Sequence, residues 1–77
     1  MVLSGVTSPA AVVLQVNGKE VALEAALSLD ALVRSLGRDP RSVALERNGV
    51  IVRRAQFGEV RVAAGDVIEI VQFVQGG

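Results

Sequence analysis

Order in this chain begins where apolar and polar residues start to alternate. Val12, Leu14 and Val16 share one parity, and after Asn17-Gly18 the alternation resumes at Val21 and Leu23. A period of two marks a half-buried strand. An Asn-Gly pair between two such runs supplies the positive φ that a type I′ turn needs at both central positions. The pattern predicts a hairpin with those five residues on one face and Gln15, Lys19 and Glu24 elsewhere. The period then changes. Leu29, Leu32, Val33 and Leu36 fall at i, i+3, i+4 and i+7, the apolar stripe of a helix. Ser28 can cap the first-turn amides, Asp30 suits the positive end of the helix dipole, and Leu27 and Leu32 are spaced as a hydrophobic staple. Gly37 and Pro40 end the helix, and the stripe reads as core.

The second half repeats the first motif. Val43 to Arg47, Asn48-Gly49 and Val50 to Val52 predict another tight hairpin. Arg53 to Gly58 reads as an irregular link with one helical turn, Phe57 plugging the edge of the core. Glu59 to Val62 alternates as a short strand, Ala63 to Asp66 is a turn, and Val67 to Val74 is the last strand. Parity leaves two arrangements of that strand. With Ile68 and Ile70 inward, Val67, Glu69, Val71 and Phe73 face out, and Val71, Phe73 and Val74 form an apolar grip for a partner. Alternatively both faces are covered, as in a central strand of a mixed sheet.

Composition narrows the chemistry. The chain has 77 residues, 51% of them hydrophobic, but only two aromatics, so one small domain with an aliphatic core is expected. It contains neither histidine nor cysteine, which removes disulfides, Ser-His-Asp triads, thiol nucleophiles and the usual zinc sites. No catalytic residue, metal site or bound cofactor is expected. Lys+Arg and Asp+Glu are both 8, so nothing suggests phosphate-backbone binding. The charges are segregated all the same. Seven arginines fall between residues 31 and 61, giving that segment a net of +4 against −2 on either side, which suits either a docking face for an acidic partner or a solvated surface. No apolar run approaches a membrane span, and the first residues lack the basic stretch of a signal peptide. A cytoplasmic protein with a leader at 1–11, a domain at 12–74 and a tail at 75–77 is expected.

The tail ends in Gly76-Gly77. Without a Cβ these residues can enter a channel too narrow for any other and take either sign of φ. From Val74 the last three residues reach roughly 10 Å at about 3.3–3.6 Å each, enough to deliver a carboxylate into another protein's active site.

Hairpin, helix, strands and an apolar last strand running into glycines is the order of the β-grasp, or ubiquitin-like, fold. Within it the chain resembles the ThiS-type sulfur carriers of thiamin biosynthesis. The resemblance runs from about Val12 to Gly77 and rests on the Asn17-Gly18 hairpin, the segment Ala44 to Arg54, the segment Ala64 to Val71, and Gly76-Gly77. It implies an α+β fold, a mixed four- to five-stranded sheet with one helix packed across it and the first and last strands parallel at its centre. The sequence departs from the family pattern at Arg53, where proline is common, at Phe57, where tryptophan is frequent, and at Gln75, where glycine or alanine often precedes the final pair.

The resemblance also implies a mechanism. A ubiquitin-activating-like (ThiF-type) enzyme adenylates Gly77 with ATP, a persulfide sulfur displaces AMP to leave a thiocarboxylate, and a ThiG-type thiazole synthase receives the sulfur. Gly77 is then the attachment point and Gly76 the residue threaded with it. Val71, Phe73 and Val74 form the grip, and Arg53 and Arg54 are further contact candidates. The free protein is expected to be a monomer and not an enzyme. Two alternatives are a MoaD-type carrier for molybdopterin synthesis and a β-grasp interaction module without tail chemistry. The short link from Arg38 to Ser42, with no proline after Pro40, favours thiamin over molybdopterin.

Overall fold

The computed structural model describes residues 11–73. Residues 1–10 of the predicted leader, Val74 at the end of the predicted domain, and the predicted tail of Gln75, Gly76 and Gly77 lie outside the described residues. Strands β1 (Val12–Val16) and β2 (Lys19–Leu23) form the first hairpin, helix α1 (Leu29–Ser35) follows, and β3 (Val43–Arg47) and β4 (Val50–Val52) form the second hairpin. The last strand, β5 (Val67–Gln72), enters between them, so the five-stranded sheet has the order β2-β1-β5-β3-β4. β1 and β5 run parallel at its centre and the other pairs are antiparallel. This is the β-grasp α+β fold that the order of elements predicts, with five strands.

Local chemistry fixes the elements. Asn17 and Asn48 both take positive φ, at 51° and 54°, and the glycines after them sit at 82° and 84°. These are type I′ turns, whose twist matches that of the flanking strands. The register Leu14↔Val21 and Val12↔Leu23 then places the apolar parity of both strands on one face. Helix α1 starts at Ser28, whose Oγ accepts from Ala31 N–H at 3.1 Å. Two more first-turn amides are met by the following loop, Leu29 N–H donating to Val60 O and Asp30 N–H to Phe57 O, so three of the four amides that a helix start leaves over are satisfied. At the other end Gly37, at φ 80°, donates to Arg34 O and Arg38 donates to Val33 O. This doubly bonded exit needs a left-handed residue where glycine stands.

Leu29, Leu32 and Val33 from the helix meet Leu14, Val16, Val43, Leu45, Ile68 and Ile70 from the sheet in a wholly aliphatic centre. Phe57 closes one side of it, as expected, just after a 3₁₀ turn at Arg54–Gln56. Arg53 precedes that turn at φ −70°, close to the value a proline ring imposes. An arginine can therefore occupy a place suited to proline without moving the backbone.

Two expectations need correction. Leu36, the fourth residue of the helical stripe, is 40% exposed. It is the residue at which the helix exits, and it lines an open groove with Val16, Asn17 and Val21 instead of joining the core. Glu59 to Val62 does not form a strand of the sheet. Its alternation is real, with Val62 buried and Val60 half-buried, but its partner is the approach to the helix: Ser28 bridges to Arg61, and Val62 N–H donates to Leu27 O. Five of the seven arginines between residues 31 and 61 are engaged within the chain. Arg34, Arg41 and Arg47 pair with Asp30, Asp39 and Asp66, Arg38 donates to Gln72, and Arg61 donates to Ala26 O.

Candidate functional site

β5 is the element that everything else holds. Phe73 N–H donates to Ser42 O, and Asn48 N–H donates to Val67 O. The odd residues of β5 therefore turn their backbone groups toward β3 and the even ones turn theirs toward β1. On the β1 side the parallel pairing covers only Gln15↔Val67 and Val16↔Ile68. Past that point the Asn17 side chain continues the ladder, its Oδ1 accepting from Ile70 N–H at 2.8 Å and its Nδ2 donating to Ile70 O at 3.2 Å. On the β3 side, Asn48 Oδ1 accepts from Val67 N–H at 2.8 Å.

Asp66, just before β5, is the one buried charged or polar residue among the described residues. Its carboxylate accepts from Arg47 Nε at 2.8 Å, Asn48 Nδ2 at 3.1 Å and Ala63 N–H at 2.8 Å. Burial alone would raise this carboxyl's pKa, but the Ala63 amide, the Arg47 guanidinium and the Asn48 amide together hold it below the usual aspartate value. The entry to β5 is thus fixed by a satisfied charge.

The exit is fixed as well. Arg38 Nη1 donates to Gln72 Oε1 at 2.9 Å, Gln72 Nε2 donates to Ser42 Oγ at 3.0 Å, and the Phe73 amide bonds Ser42 O at 2.8 Å. These three bonds set the strand's direction at the last described residue before 74–77. Parity falls as the first arrangement has it. Ile68 and Ile70 are buried, while Val67, Val71 and Phe73 stand on the outer face, Val71 at 60% exposure. Val71 lies beside Ala44 and Glu69 beside Glu46. The facing carboxylates do not favour the strand pair and give the outer face an acidic centre that periodicity did not single out. A position-by-position match of β3 against β5 would have found it.

Arg53 and Arg54 are exposed. Both Val52 and Ile70 pair with Leu45, so the two arginines leave β4 at the end of the sheet where β5 also leaves, one strand away from it. The structure brings Val71 and Phe73 together on one face. Val74, Gly76 and Gly77, the other expected site residues, lie outside the described residues. Among the described residues no group of three or more His, Cys, Asp or Glu is placed to hold a metal ion.

The sequence profile of the ThiS family matches residues 9–77. The chain belongs to the ThiS family. It is 38% identical over 65 residues to the sulfur carrier protein ThiS of Bacillus subtilis, covering 83% of this chain and 98% of that one. It is 44% identical over 64 residues to a thiazole synthase of Paramagnetospirillum magneticum and 39% to one of Magnetococcus marinus, in each case covering 83% of this chain. The match spans only 20% of the length of those two longer relatives. Among solved structures, the crystal structure of a thiamine biosynthesis protein (ThiS) from Geobacter metallireducens superposes with a TM-score of 0.72 at 32% identity, over 84% of this chain and 99% of that one. This ThiS-family domain thus shares its fold with that structure over nearly the whole of the shorter chain.

Proposed function

We propose that this chain is a sulfur carrier of thiamin biosynthesis, with the carboxyl group of Gly77 as the atom site that is loaded. The observation that carries the reading is the outward apolar row Val67, Val71 and Phe73 along and just past the central strand, followed in sequence by the segment that ends in Gly76-Gly77, in a ThiS-family chain. The relatives, a sulfur carrier protein and thiazole synthases, support thiazole formation as the destination over molybdopterin.

A carboxylate is a poor electrophile because its oxygen is a poor leaving group. Attack of a Gly77 oxygen on the α-phosphorus of ATP gives an acyl-adenylate and releases pyrophosphate. The terminal sulfur of a cysteine persulfide then attacks the Gly77 carbonyl carbon, the bond to AMP breaks, and an acyl persulfide remains. A second thiol cleaves its S–S bond, leaving a thiocarboxylate on Gly77 and a disulfide on the partner. A ubiquitin-activating-like (ThiF-type) enzyme supplies the adenylating site, a ThiG-type thiazole synthase takes the sulfur, and the chain itself is a co-substrate of cytoplasmic enzymes. Its own part is positional. Val71 and Phe73, on the outer face at the end of β5, form the grip together with the next residue in sequence, Val74, and Gly76 lets the terminus thread a narrow site.

Intact-mass measurement tests this directly. Incubation with a cognate adenylating enzyme, ATP and a persulfide sulfur donor should add the mass of one oxygen-to-sulfur exchange, located on the C-terminal peptide. No such shift, together with full function after deletion of Gly76-Gly77, would overturn the reading.

A further inference from the structure

A second feature lies at the tail end of the sheet, on the side opposite the outer apolar row. β1 stops at Val16 while β5 continues to Gln72, so beyond Ile70 no described strand lies beside β5 on that side. By the alternation of its backbone, Gln72 turns its N–H and C=O toward this opening. Beneath the opening is a groove of about 290 Å³ lined by Val16, Val21, Leu36 and Ile70, with Lys19 and Arg38 at its rim. Its floor is apolar, and it explains why Leu36, alone in the helical stripe, was not covered by the core. Its rim is cationic. Neither Lys19 nor Arg38 forms an ion pair among the described residues, although three other arginines of the chain do. Arg38 spends one N–H on Gln72, and a guanidinium has five to give.

We propose that this groove docks an extended segment of a partner protein that carries an apolar side chain flanked by carboxylates. The segment adds as a strand beside Gln72, its apolar side chain rests on Leu36 and Val21, and its carboxylates meet Lys19 and Arg38. Strand addition takes its affinity from the main chain and its specificity from pockets for alternate side chains, and this groove offers both beside one strand edge. The complementary charge makes the occupant acidic. Because Arg38 also holds Gln72, a segment bound here touches the residue from which the tail departs, yet the site is separate from the outer row and independent of the sulfur chemistry.

The test is a ¹⁵N NMR titration of the full chain with millimolar acetyl-Asp-Leu-Asp-amide. Shifts are expected at Lys19, Val21, Leu36, Arg38, Ile70 and Gln72, and they should persist when Gly76-Gly77 is deleted, which distinguishes this site from the tail. Lys19→Glu and Leu36→Ser should each weaken the peptide about tenfold, with backbone spectra otherwise unchanged. Arg38→Lys should weaken it less than Arg38→Glu. Three results would each overturn the proposal: no shift at the groove, equal shifts with the uncharged control acetyl-Asn-Leu-Asn-amide or with inorganic phosphate, or stronger binding to phosphatidylglycerol vesicles than to the acidic peptide.

Discussion

The two Asn-Gly hairpins have the same turn residues, the same backbone angles to within a few degrees and the same two-residue loop, yet their asparagine side chains do different things. Asn17 lies past the end of a parallel strand pair and spends both amide atoms on the backbone of Ile70, acting as a further residue of β1. Asn48 divides its amide between the Val67 N–H and the buried Asp66 carboxylate. One turn extends a ladder and the other completes a charged anchor. Turn geometry is local and repeats with the dipeptide. What the side chain does next depends on which strand is brought alongside, and in both turns that strand is β5, the element that leads to the tail. Two copies of a common turn motif thus hold the central strand from opposite sides.

Removing the charged anchor should have the largest effect. Asp66→Ala leaves the Arg47 guanidinium, the Asn48 amide and the Ala63 N–H without their acceptor, a loss of roughly 2–4 kcal/mol. Arg47 is one-third exposed, so water reaches it and the lower half of that range is expected. The urea midpoint measures it, and a loss under about 1 kcal/mol would mean that the turns hold β5 by geometry alone.

Replacing each asparagine by glycine keeps the positive φ and removes only the side-chain bonds, which separates turn from clamp. Asn48→Gly should cost about 2 kcal/mol, because one of its bonds reaches a carboxylate, and Asn17→Gly about 1 kcal/mol for two neutral bonds. Hydrogen exchange at the Ile70 amide should speed up in Asn17→Gly and not in Asn48→Gly. Equal losses in the two variants would erase the distinction drawn between the turns.

Acid sharpens the same contrast. The folded-state pKa of Asp66 is depressed, so its contribution is present above the unfolded value, about 3.9, and is lost as pH falls through the lower folded one. Stability below about pH 4 should therefore fall more steeply in the wild type and in Asn17→Gly than in Asn48→Gly, where one of the groups depressing that pKa is gone. Thermal unfolding between pH 2 and pH 6 reads this out, with the window taken from the aspartate reference value.

The smallest effect on stability is expected on the outer face. Val71→Ser should change unfolding by no more than about 0.5 kcal/mol, while loading of Gly77 by an adenylating enzyme should slow roughly tenfold as an apolar contact is lost. A large stability loss would mean that Val71 serves the fold and not a partner.

Much of this was legible in the sequence. Both hairpins, the Ser28 cap, the Gly37 exit, the inward parity of Ile68 and Ile70 and the plug at Phe57 follow from turn chemistry and periodicity, which act within a few residues. The two misplaced readings concern what lies across space. Leu36 has the right period but sits at the helix exit above an open groove. Glu59 to Val62 has strand alternation but finds the helix entrance instead of a sheet edge. The arginines between 31 and 61 gave a charge excess in one dimension, which folding largely divided among Asp30, Asp39, Asp66 and Gln72. The candidate site divides in the same way, with Val71 and Phe73 readable by parity and the Asp66 anchor and the Glu46–Glu69 pair visible only once β3 lies against β5.

The sequence by itself determined where this chain turns, where its helix starts and stops, and which parity of each strand is apolar, because those properties depend on φ preferences and on periods of 2 and 3.6 residues. Only the tertiary structure decided which polar side chains became clamps, which apolar residue was left at a groove, and which face of β5 stayed open. Those outcomes depend on long-range register: a hydrogen bond between Asn17 and Ile70 spans 53 positions of the chain, and nothing local to either residue specifies the other.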